Sequence, residues 1–147
     1  MEGKKDPIWF KILMVAIIGF FLNLLWELLH SLLYDWNAPP LVNDIYVYIP
    51  RIIFGASCAD AAWIVGFVSI NSAIQKDVRW LYQPERRDYI VICLLGIIAA
   101  IIIEIQAMLF NMWEYNHYMP LILGIGLTPL VQLAMTGMLS VFLSTKI

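Results

Sequence analysis

The sequence predicts an all-α fold, a four-helix transmembrane bundle, from its low charge content, its hydropathy and four long apolar stretches. Hydrophobic residues make up 62% of the 147 residues and charged residues 14%, whereas about 25% of a typical soluble domain is charged. Mean hydropathy is +0.80. The four stretches, at about 8–33, 51–73, 89–110 and 120–143, each suit the ~20 residues that cross a bilayer core. We therefore expect residues 1–147 to form one membrane domain.

The basic residues predict the orientation of the chain. Eight of the nine lysines and arginines fall before or early in the first span, in the loop between the second and third spans, or in the tail: Lys4, Lys5, Lys11, Lys76, Arg79, Arg86, Arg87 and Lys146. Because basic residues are enriched on the cytoplasmic side of membrane proteins, we expect both termini in the cytoplasm and the protein in the cell membrane. Arg51, the remaining one, is expected outside, where it pairs with Asp35, Asp44 or Glu114 or binds a lipid headgroup.

Pro129 interrupts the predicted fourth span within the sequence Leu-Gly-Ile-Gly-Leu-Thr-Pro at residues 123–129. Proline removes one backbone hydrogen bond from a helix interior, and glycines weaken the preceding turn. We therefore expect a kink near Pro129. The second span is instead rich in small residues around Gly55 and Ala59, which permits close helix contact.

Three carboxylates, Glu27, Asp60 and Glu104, fall inside the predicted spans. Each acid near a helix centre costs roughly 2.5–3.5 kcal/mol on insertion, so we expect all three to face the protein interior. Counted at 1.5 Å per residue from the middle of each span, they lie roughly 9, 3 and 6 Å toward the outside. This common depth predicts a single internal site built from three helices.

The first span carries Asn23, Glu27, His30 and Tyr34 at spacings of four, three and four residues, which places them on one helical face. No lysine or arginine lies at the depth of the acids. Because burial without a cation disfavours a charged carboxylate, we expect at least one of the three to keep its proton at neutral pH. The alternative is that the acids only fix helix packing, through hydrogen bonds to neighbouring amide and hydroxyl side chains: Asn23, Gln106, Thr128 and Gln132.

The string Trp-Glu-x-x-His occurs twice, at residues 26–30 and 113–117, and contains both histidines of the chain. Two Glu-x-x-His pairs with two further carboxylates are the ligands of di-iron helical bundles. Glu114, however, lies about 21 Å from the midplane and Glu27 about 9 Å, too far apart in depth to share one centre. We therefore predict no metal and no cofactor, with a mononuclear site formed by Glu27, His30 and another carboxylate kept as an alternative.

A family resemblance rests on several of these motifs together. They are Asn-Leu-Leu-Trp-Glu at 23–27, Asp60, Glu104, Met-Pro at 119–120 and Gly-Ile-Gly-Leu-Thr-Pro-Leu-Val-Gln at 124–132. The chain resembles a group of small, uncharacterised four-span integral membrane proteins over most of its length, which implies the same topology and directs attention to the shared positions: Glu27, Asp60, Glu104, Trp113, Tyr115, Pro120, Pro129 and Gln132. Its pattern of mid-membrane carboxylates beside aromatic residues also resembles that of integral membrane lycopene and terpene cyclases.

These observations favour a site for a lipophilic ligand of lipid or isoprenoid type, on which a carboxylic acid acts as a general acid. The expected catalytic residues are Glu27, Asp60 and Glu104. The ligand is expected to contact Asn23, Trp26, His30, Trp63, Trp113, Tyr115 and Gln132. The alternatives are a small oligomeric transporter coupled to protons or cations, and an accessory subunit of a membrane complex. The expected partners are the bilayer, a lipophilic small molecule and further copies of the chain, but no nucleic acid.

Overall fold

A computed structural model describes residues 6–39 and 41–147, and these residues are mainly helical. The regular elements are α1 (Ile8–His30), α2 (Ile45–Val47), α3 (Ala56–Gln75), α4 (Arg86–Phe110), α5 (Leu127–Ser144) and a hairpin of β1 (Leu121–Ile122) and β2 (Ile125–Gly126). Four helical segments, Ile8–Leu33, Ile45–Gln75, Arg86–Phe110 and Leu127–Ser144, are long and apolar enough to cross a membrane. This confirms the four predicted helices. Lys4 and Lys5, used to predict orientation, lie outside the described residues.

Local sequence signals explain where α3 ends and where α4 begins and ends. α3 ends at Lys76 and α4 ends at Asn111, and both of these capping residues adopt the left-handed conformation that terminates helices. α4 begins with a capping box, in which Glu85 and Asp88 each accept a hydrogen bond from the backbone amide of the other. The caps at Lys76 and Glu85 fix the two ends of the basic loop between α3 and α4.

The fourth membrane helix begins later than the sequence predicts. Residues 120–126, which we assigned to the span, form the β1–β2 hairpin, and Leu123 and Gly124 take positive φ angles of 53° and 83° at its tip. Positive φ at both central residues is the backbone of a tight hairpin turn, and glycine adopts it without strain. Pro129 is consequently the third residue of α5, where its missing amide hydrogen costs no helical hydrogen bond. The helical turns that we expected before Pro129 are replaced by the hairpin.

The second membrane segment begins before residue 51, where the predicted span starts. Residues Tyr48–Gly55 form a π-helical stretch that continues directly into α3. A π-helical turn is wider than an α-helical one, and such turns are frequent at functional sites. A Cβ atom at Gly55 would lie 3.1 Å from the carbonyl oxygen of Pro50, so the coil is tight at this position. The stretch carries Arg51 and Gly55 toward the site described below.

The four long helices form a bundle with one loose side. α5 packs against α1 and α4, and α1 packs against α3, whereas the contact between α3 and α4 is much smaller. α4 and α5 are in backbone contact, since a Cβ atom at Gly96 would lie 2.5 Å from the backbone nitrogen of Ala134. The loose side between α3 and α4 leaves room within the bundle.

Two apolar clusters stabilise the bundle. The larger one includes Val15, Ile64, Phe67, Ile92, Leu133 and Val141. The smaller one consists of Tyr34, Leu41, Tyr48 and Ile53. In sequence, Glu27 lies between Val15 of the larger cluster and Tyr34 of the smaller one, and Asp60 lies between Ile53 and Ile64. The polar site therefore lies between the two apolar clusters.

Candidate functional site

Each of the four membrane helices contributes a buried polar side chain to the interior between the two clusters. α1 supplies Glu27 and His30, α3 supplies Asp60, α4 supplies Glu104 and α5 supplies Gln132, and all five are buried. On α1, the buried positions recur every three or four residues from Lys11 to His30, so one helical face points inward along the whole helix. The predicted inward orientation of the three acids is what the structure has.

Gln132 connects α1, α3 and α5 through a single nitrogen. Its Nε2 atom lies 2.9 Å from Glu27 Oε1, 2.8 Å from Asp60 Oδ2 and 3.2 Å from Asn23 Oδ1. Asn23 in turn donates from Nδ2 to the carbonyl oxygen of Gly19, at 2.8 Å. Two carboxyl groups from different helices thus share one amide donor, with no basic side chain bonded to either of them in the described residues.

Glu104 has a separate set of donors. The hydroxyl group of Tyr115 donates to Glu104 Oε1 at 2.7 Å, and the backbone amide of Gly126 donates to Oε2 at 3.0 Å. Trp113 Nε1 donates to the Tyr115 hydroxyl oxygen at 2.9 Å, which completes a chain of donors directed at the acid. Both oxygens of Glu104 therefore accept a hydrogen bond, which stabilises an ionised carboxylate.

The three acids line one cavity of about 350 Å³. Most of its remaining wall is apolar, formed by small residues of the second membrane segment (Gly55, Ala56, Ala59), by Ala100, Ile103 and Leu133, and by aromatic rings including Trp63 and Trp113. Gly55, Ala59 and Trp63 are exposed as well as lining the cavity. The cavity is therefore open on the side of α3, and the small residues that we expected to pack against another helix line it instead.

Aromatic rings form the end of the cavity near the C-terminus of α1. Tyr34 and Tyr115 stack with ring centroids 5.4 Å apart and planes 14° apart, and their backbones form an isolated β-bridge. The His30 ring lies 5.0 Å from that of Tyr34 and 5.9 Å from that of Tyr115. Burial raises the pKa of both tyrosines above the ordinary value, so both keep their hydroxyl hydrogens at neutral pH. Tyr115 therefore keeps the hydrogen that it donates to Glu104.

Eight of the ten residues that the sequence singled out line this cavity: Glu27, His30, Asp60, Trp63, Glu104, Trp113, Tyr115 and Gln132. Asn23 lies behind the wall and reaches the site only through Gln132. Trp26 does not line the cavity, because it lies on another side of α1, where its indole nitrogen is buried without a hydrogen-bond partner in the described part of the chain.

Sequence reasoning missed several residues of the site. Arg51 lines the cavity and is exposed, and within the described residues it forms no salt bridge with Asp35, Asp44 or Glu114. Gln106, also exposed, lines the cavity with it. The only available signal for Arg51 was its position as the single basic residue on the predicted outer side. The backbone amide of Gly126 had no signal, because a side-chain pattern does not report backbone donors.

The Glu-x-x-His part of the second string does not reach the cavity, although Trp113 and Tyr115 of the same stretch line it. Glu114 and His117 are exposed, and neither lines it. Over residues 6–39 and 41–147, no group of three or more histidine, cysteine, aspartate or glutamate side chains is arranged to hold a metal ion. Glu27 and His30 are thus a pair without a third such ligand.

Fold and site together define a class of protein: a helical bundle with four helices suited to a membrane and an internal cavity that three acids line within a mostly apolar wall. No protein-family model, curated protein or solved structure matches the chain. The chemistry of the cavity is therefore the basis on which a function can be proposed.

Proposed function

We propose that the chain is a multi-pass protein of the cell membrane that binds a lipophilic ligand, of lipid or isoprenoid type, and acts on it by general acid chemistry. One observation carries the proposal: Glu27, Asp60 and Glu104 line a single cavity whose remaining wall is largely apolar and aromatic. Small-molecule sites are mostly apolar concavities with a few convergent polar groups. Ionisable groups within membrane helices are costly and usually serve function.

The open side of the cavity suits entry from the bilayer. Gly55, Ala59 and Trp63 form that side within the segment Ile45–Gln75, which is long enough to span the hydrocarbon core. An opening at this depth faces acyl chains rather than water. Arg51 and Gln106 give the opening a polar edge. A largely apolar ligand with one polar end matches this arrangement.

The proton donor in this proposal is the Glu27–Asp60 pair. The Gln132 amide carries two hydrogens but lies within hydrogen-bond distance of three oxygens, from Asn23, Glu27 and Asp60. One oxygen is left without a donor. A proton carried by one of the two carboxyl groups supplies a further donor and removes the repulsion between two buried negative charges.

Glu104 is the base in this proposal, because two donors stabilise its ionised form. The pair's proton forms a C–H bond at one alkene carbon, using the π electrons, and leaves a carbocation at the other. Glu104 removes a proton from a neighbouring carbon, whose C–H electrons form the new double bond, and that proton returns to the pair. The step is redox-neutral. Trp63 and Trp113 stabilise the transient positive charge through their ring faces. An epoxide would take the proton on oxygen.

We infer that both termini and the loop between α3 and α4 are cytoplasmic. Eight of the nine basic residues of the sequence lie on that side. The ends of the bundle support a common side for the termini, since Lys11 Nζ donates to the carbonyl oxygen of Ser144 at 3.0 Å. This contact brings the first turn of α1 to the last residue of α5.

The ligand can be sought without knowing its identity. Protein purified in nanodiscs would be extracted with organic solvent, and lipophilic compounds enriched over the surrounding lipid would be measured by mass spectrometry. Ala59→Phe fills the open side of the cavity and should abolish enrichment. Ala62→Phe places the same ring on the same helix at an exposed position that does not line the cavity, and should retain it. Equal enrichment in both variants, or no enrichment in the unchanged protein, would contradict the proposal.

Deuterium exchange tests the acid chemistry. When the protein and its extracted ligand are incubated in deuterated water, protonation at carbon and loss of a proton should place deuterium in C–H bonds of the ligand. Asp60→Asn should lower the rate at least about 100-fold if the pair supplies the proton. A ligand that binds but gains no deuterium would instead favour the transporter, to be tested by proton-coupled flux in vesicles.

A further inference from the structure

Two buried side chains of the cavity have polar atoms that no group in the described residues satisfies. They are Oε2 of Glu27 and both ring nitrogens of His30. Each side chain is only 4% exposed, and both line the cavity. Buried polar atoms in native proteins almost always have a hydrogen-bond partner. The partner of these atoms is therefore expected among the contents of the cavity.

The two groups are placed to contact one small polar group together. Glu27 and His30 are three residues apart on α1, which puts them on the same face with a rise of ~4.5 Å between them. Gln132 holds the other oxygen of Glu27, at 2.9 Å, so Oε2 is the atom that stays available. The rings of Tyr34 and Tyr115 pack around the imidazole. Both side chains are thus fixed by contacts that do not use Glu27 Oε2 or the two ring nitrogens of His30.

The chemistry of these atoms favours a group that both donates and accepts a hydrogen bond. An imidazole offers at least one N–H donor in either protonation state, and a carboxyl oxygen accepts when ionised and can donate when protonated. An ether or a ketone only accepts a hydrogen bond, and an ammonium group only donates. A hydroxyl group does both. It can therefore bond Glu27 and His30 whichever of them holds a proton.

We propose that Glu27 and His30 form a subsite for the hydroxyl group of a lipophilic alcohol whose hydrocarbon chain lies in the rest of the cavity. This inference rests on the proposed function for the apolar part of the site, and it adds the class of ligand. The hydroxyl oxygen accepts from His30, and its hydrogen is donated to Glu27 Oε2. Such an alcohol also lies next to the Glu27–Asp60 pair, so its oxygen is within the reach of an acid.

Three probes of equal chain length test the subsite: a long-chain alcohol with a bromine atom at its far end, its methyl ether, and the corresponding bromoalkane. Bromine quenches tryptophan fluorescence at short range, and Trp63 and Trp113 line the cavity. Quenching that remains in Ala59→Phe measures partition into the bilayer and is subtracted. We expect the alcohol to bind roughly tenfold more tightly than the ether, because only the alcohol donates a hydrogen bond to Glu27, and the ether to bind more tightly than the bromoalkane, because only the ether accepts from His30.

A pair of matched variants tests the contact with His30. His30→Phe keeps an aromatic ring but removes both nitrogens, and should weaken the binding of the alcohol and of the ether by a similar factor, because both oxygens accept from His30, while bromoalkane binding stays unchanged. His117→Phe makes the same change at an exposed histidine outside the cavity and should leave the binding of all three probes unchanged. If His30→Phe does not fold, the three probes still decide the matter in the unchanged protein.

The outcomes separate this inference from the function on which it rests. Tighter binding of the alcohol than of the ether, with both weakened in His30→Phe, supports the subsite. Equal binding of all three probes overturns the subsite, because water then satisfies the two side chains, but leaves a lipophilic cavity. Absence of cavity quenching by any probe overturns both the subsite and the proposed lipophilic site. Binding of the alcohol and the ether that is unchanged in His30→Phe also overturns the subsite.

Discussion

At the scale of single residues, the site depends on Gln132 more than on any one acid. Its amide nitrogen joins Glu27 of α1 to Asp60 of α3, and it also reaches Asn23. A proton taken up by one acid removes a charge and supplies one donor, whereas the Gln132 amide supplies two. Gln132 therefore couples the local chemistry of the two carboxyl groups to the packing of three helices.

Gln132→Leu should consequently destabilise the folded protein by about 1–3 kcal/mol, because buried oxygens of Glu27 and Asp60 lose their shared donor. Denaturation in mixed detergent micelles, followed by tryptophan fluorescence, measures the change. Gln106→Leu is the matched control, since Gln106 is exposed and makes no side-chain hydrogen bond in the described residues; it should change stability by less than about 0.5 kcal/mol. Equal effects of the two variants would mean that Gln132 is not the structural centre of the site.

At the scale of elements, the position of α5 decides which groups reach Glu104. The hairpin at residues 121–126 delays the helix until Leu127, and this leaves the backbone amide of Gly126 free to donate to Glu104. A helix beginning at Pro120 would use that amide in its own hydrogen bonding. The close approach of α4 and α5 at Gly96 holds the two elements in this register.

Gly96→Ala should therefore weaken the bundle. Its Cβ would lie 2.5 Å from Ala134 N and 2.6 Å from Ala134 Cα, both backbone atoms that move only if the helices separate. We expect a loss of about 1–3 kcal/mol, as for other overpacked interiors, measured by the same denaturation. Gly66→Ala adds the same methyl group where nothing lies within 4 Å, and should cause no loss. A Gly96→Ala protein as stable as the unchanged chain would show that α4 and α5 are not in backbone contact.

At the scale of the whole molecule, the uneven packing of the bundle produces its opening. α5 has two close neighbours, α1 and α4, whereas α3 and α4 touch little, and the cavity opens beside α3. The side of the membrane toward which the site lies depends on the orientation of the entire chain. The positive-inside rule predicts that orientation from the basic residues alone.

Cysteine labelling tests the orientation. In a variant with Cys58 and Cys93 replaced by serine, Asn43→Cys should react with an impermeant maleimide added to intact cells. Gln83→Cys should react only after permeabilisation, because the loop between α3 and α4 is expected in the cytoplasm. Both positions are exposed in the structure. The reverse pattern of labelling would invert the orientation and place the acids nearer the cytoplasmic side.

The sequence alone determined the number of membrane helices, the inward face of α1 and the inward orientation of the three acids. These features follow from local rules: hydropathy over about 20 residues, helical spacing, and the cost of a carboxyl group in hydrocarbon. Their common depth in the predicted spans indicated that Glu27, Asp60 and Glu104 belong to one site. The sequence analysis also named most of the aromatic residues that surround them. Trp26 shows their limit, because a residue next to a site residue in sequence faces another direction on a helix.

Only the tertiary structure decided which helix faces meet. The sharing of Gln132 by two acids, the donors to Glu104, the access of Arg51 to the cavity and the opening beside α3 all depend on contacts between segments distant in sequence. The late start of α5 also depends on the tertiary structure. A proline and two glycines are compatible either with one bent helix or with a hairpin followed by a shorter helix. Hydropathy does not distinguish these two structures, because both keep apolar side chains in an apolar environment. The backbone hydrogen bonds formed in the folded bundle distinguish them.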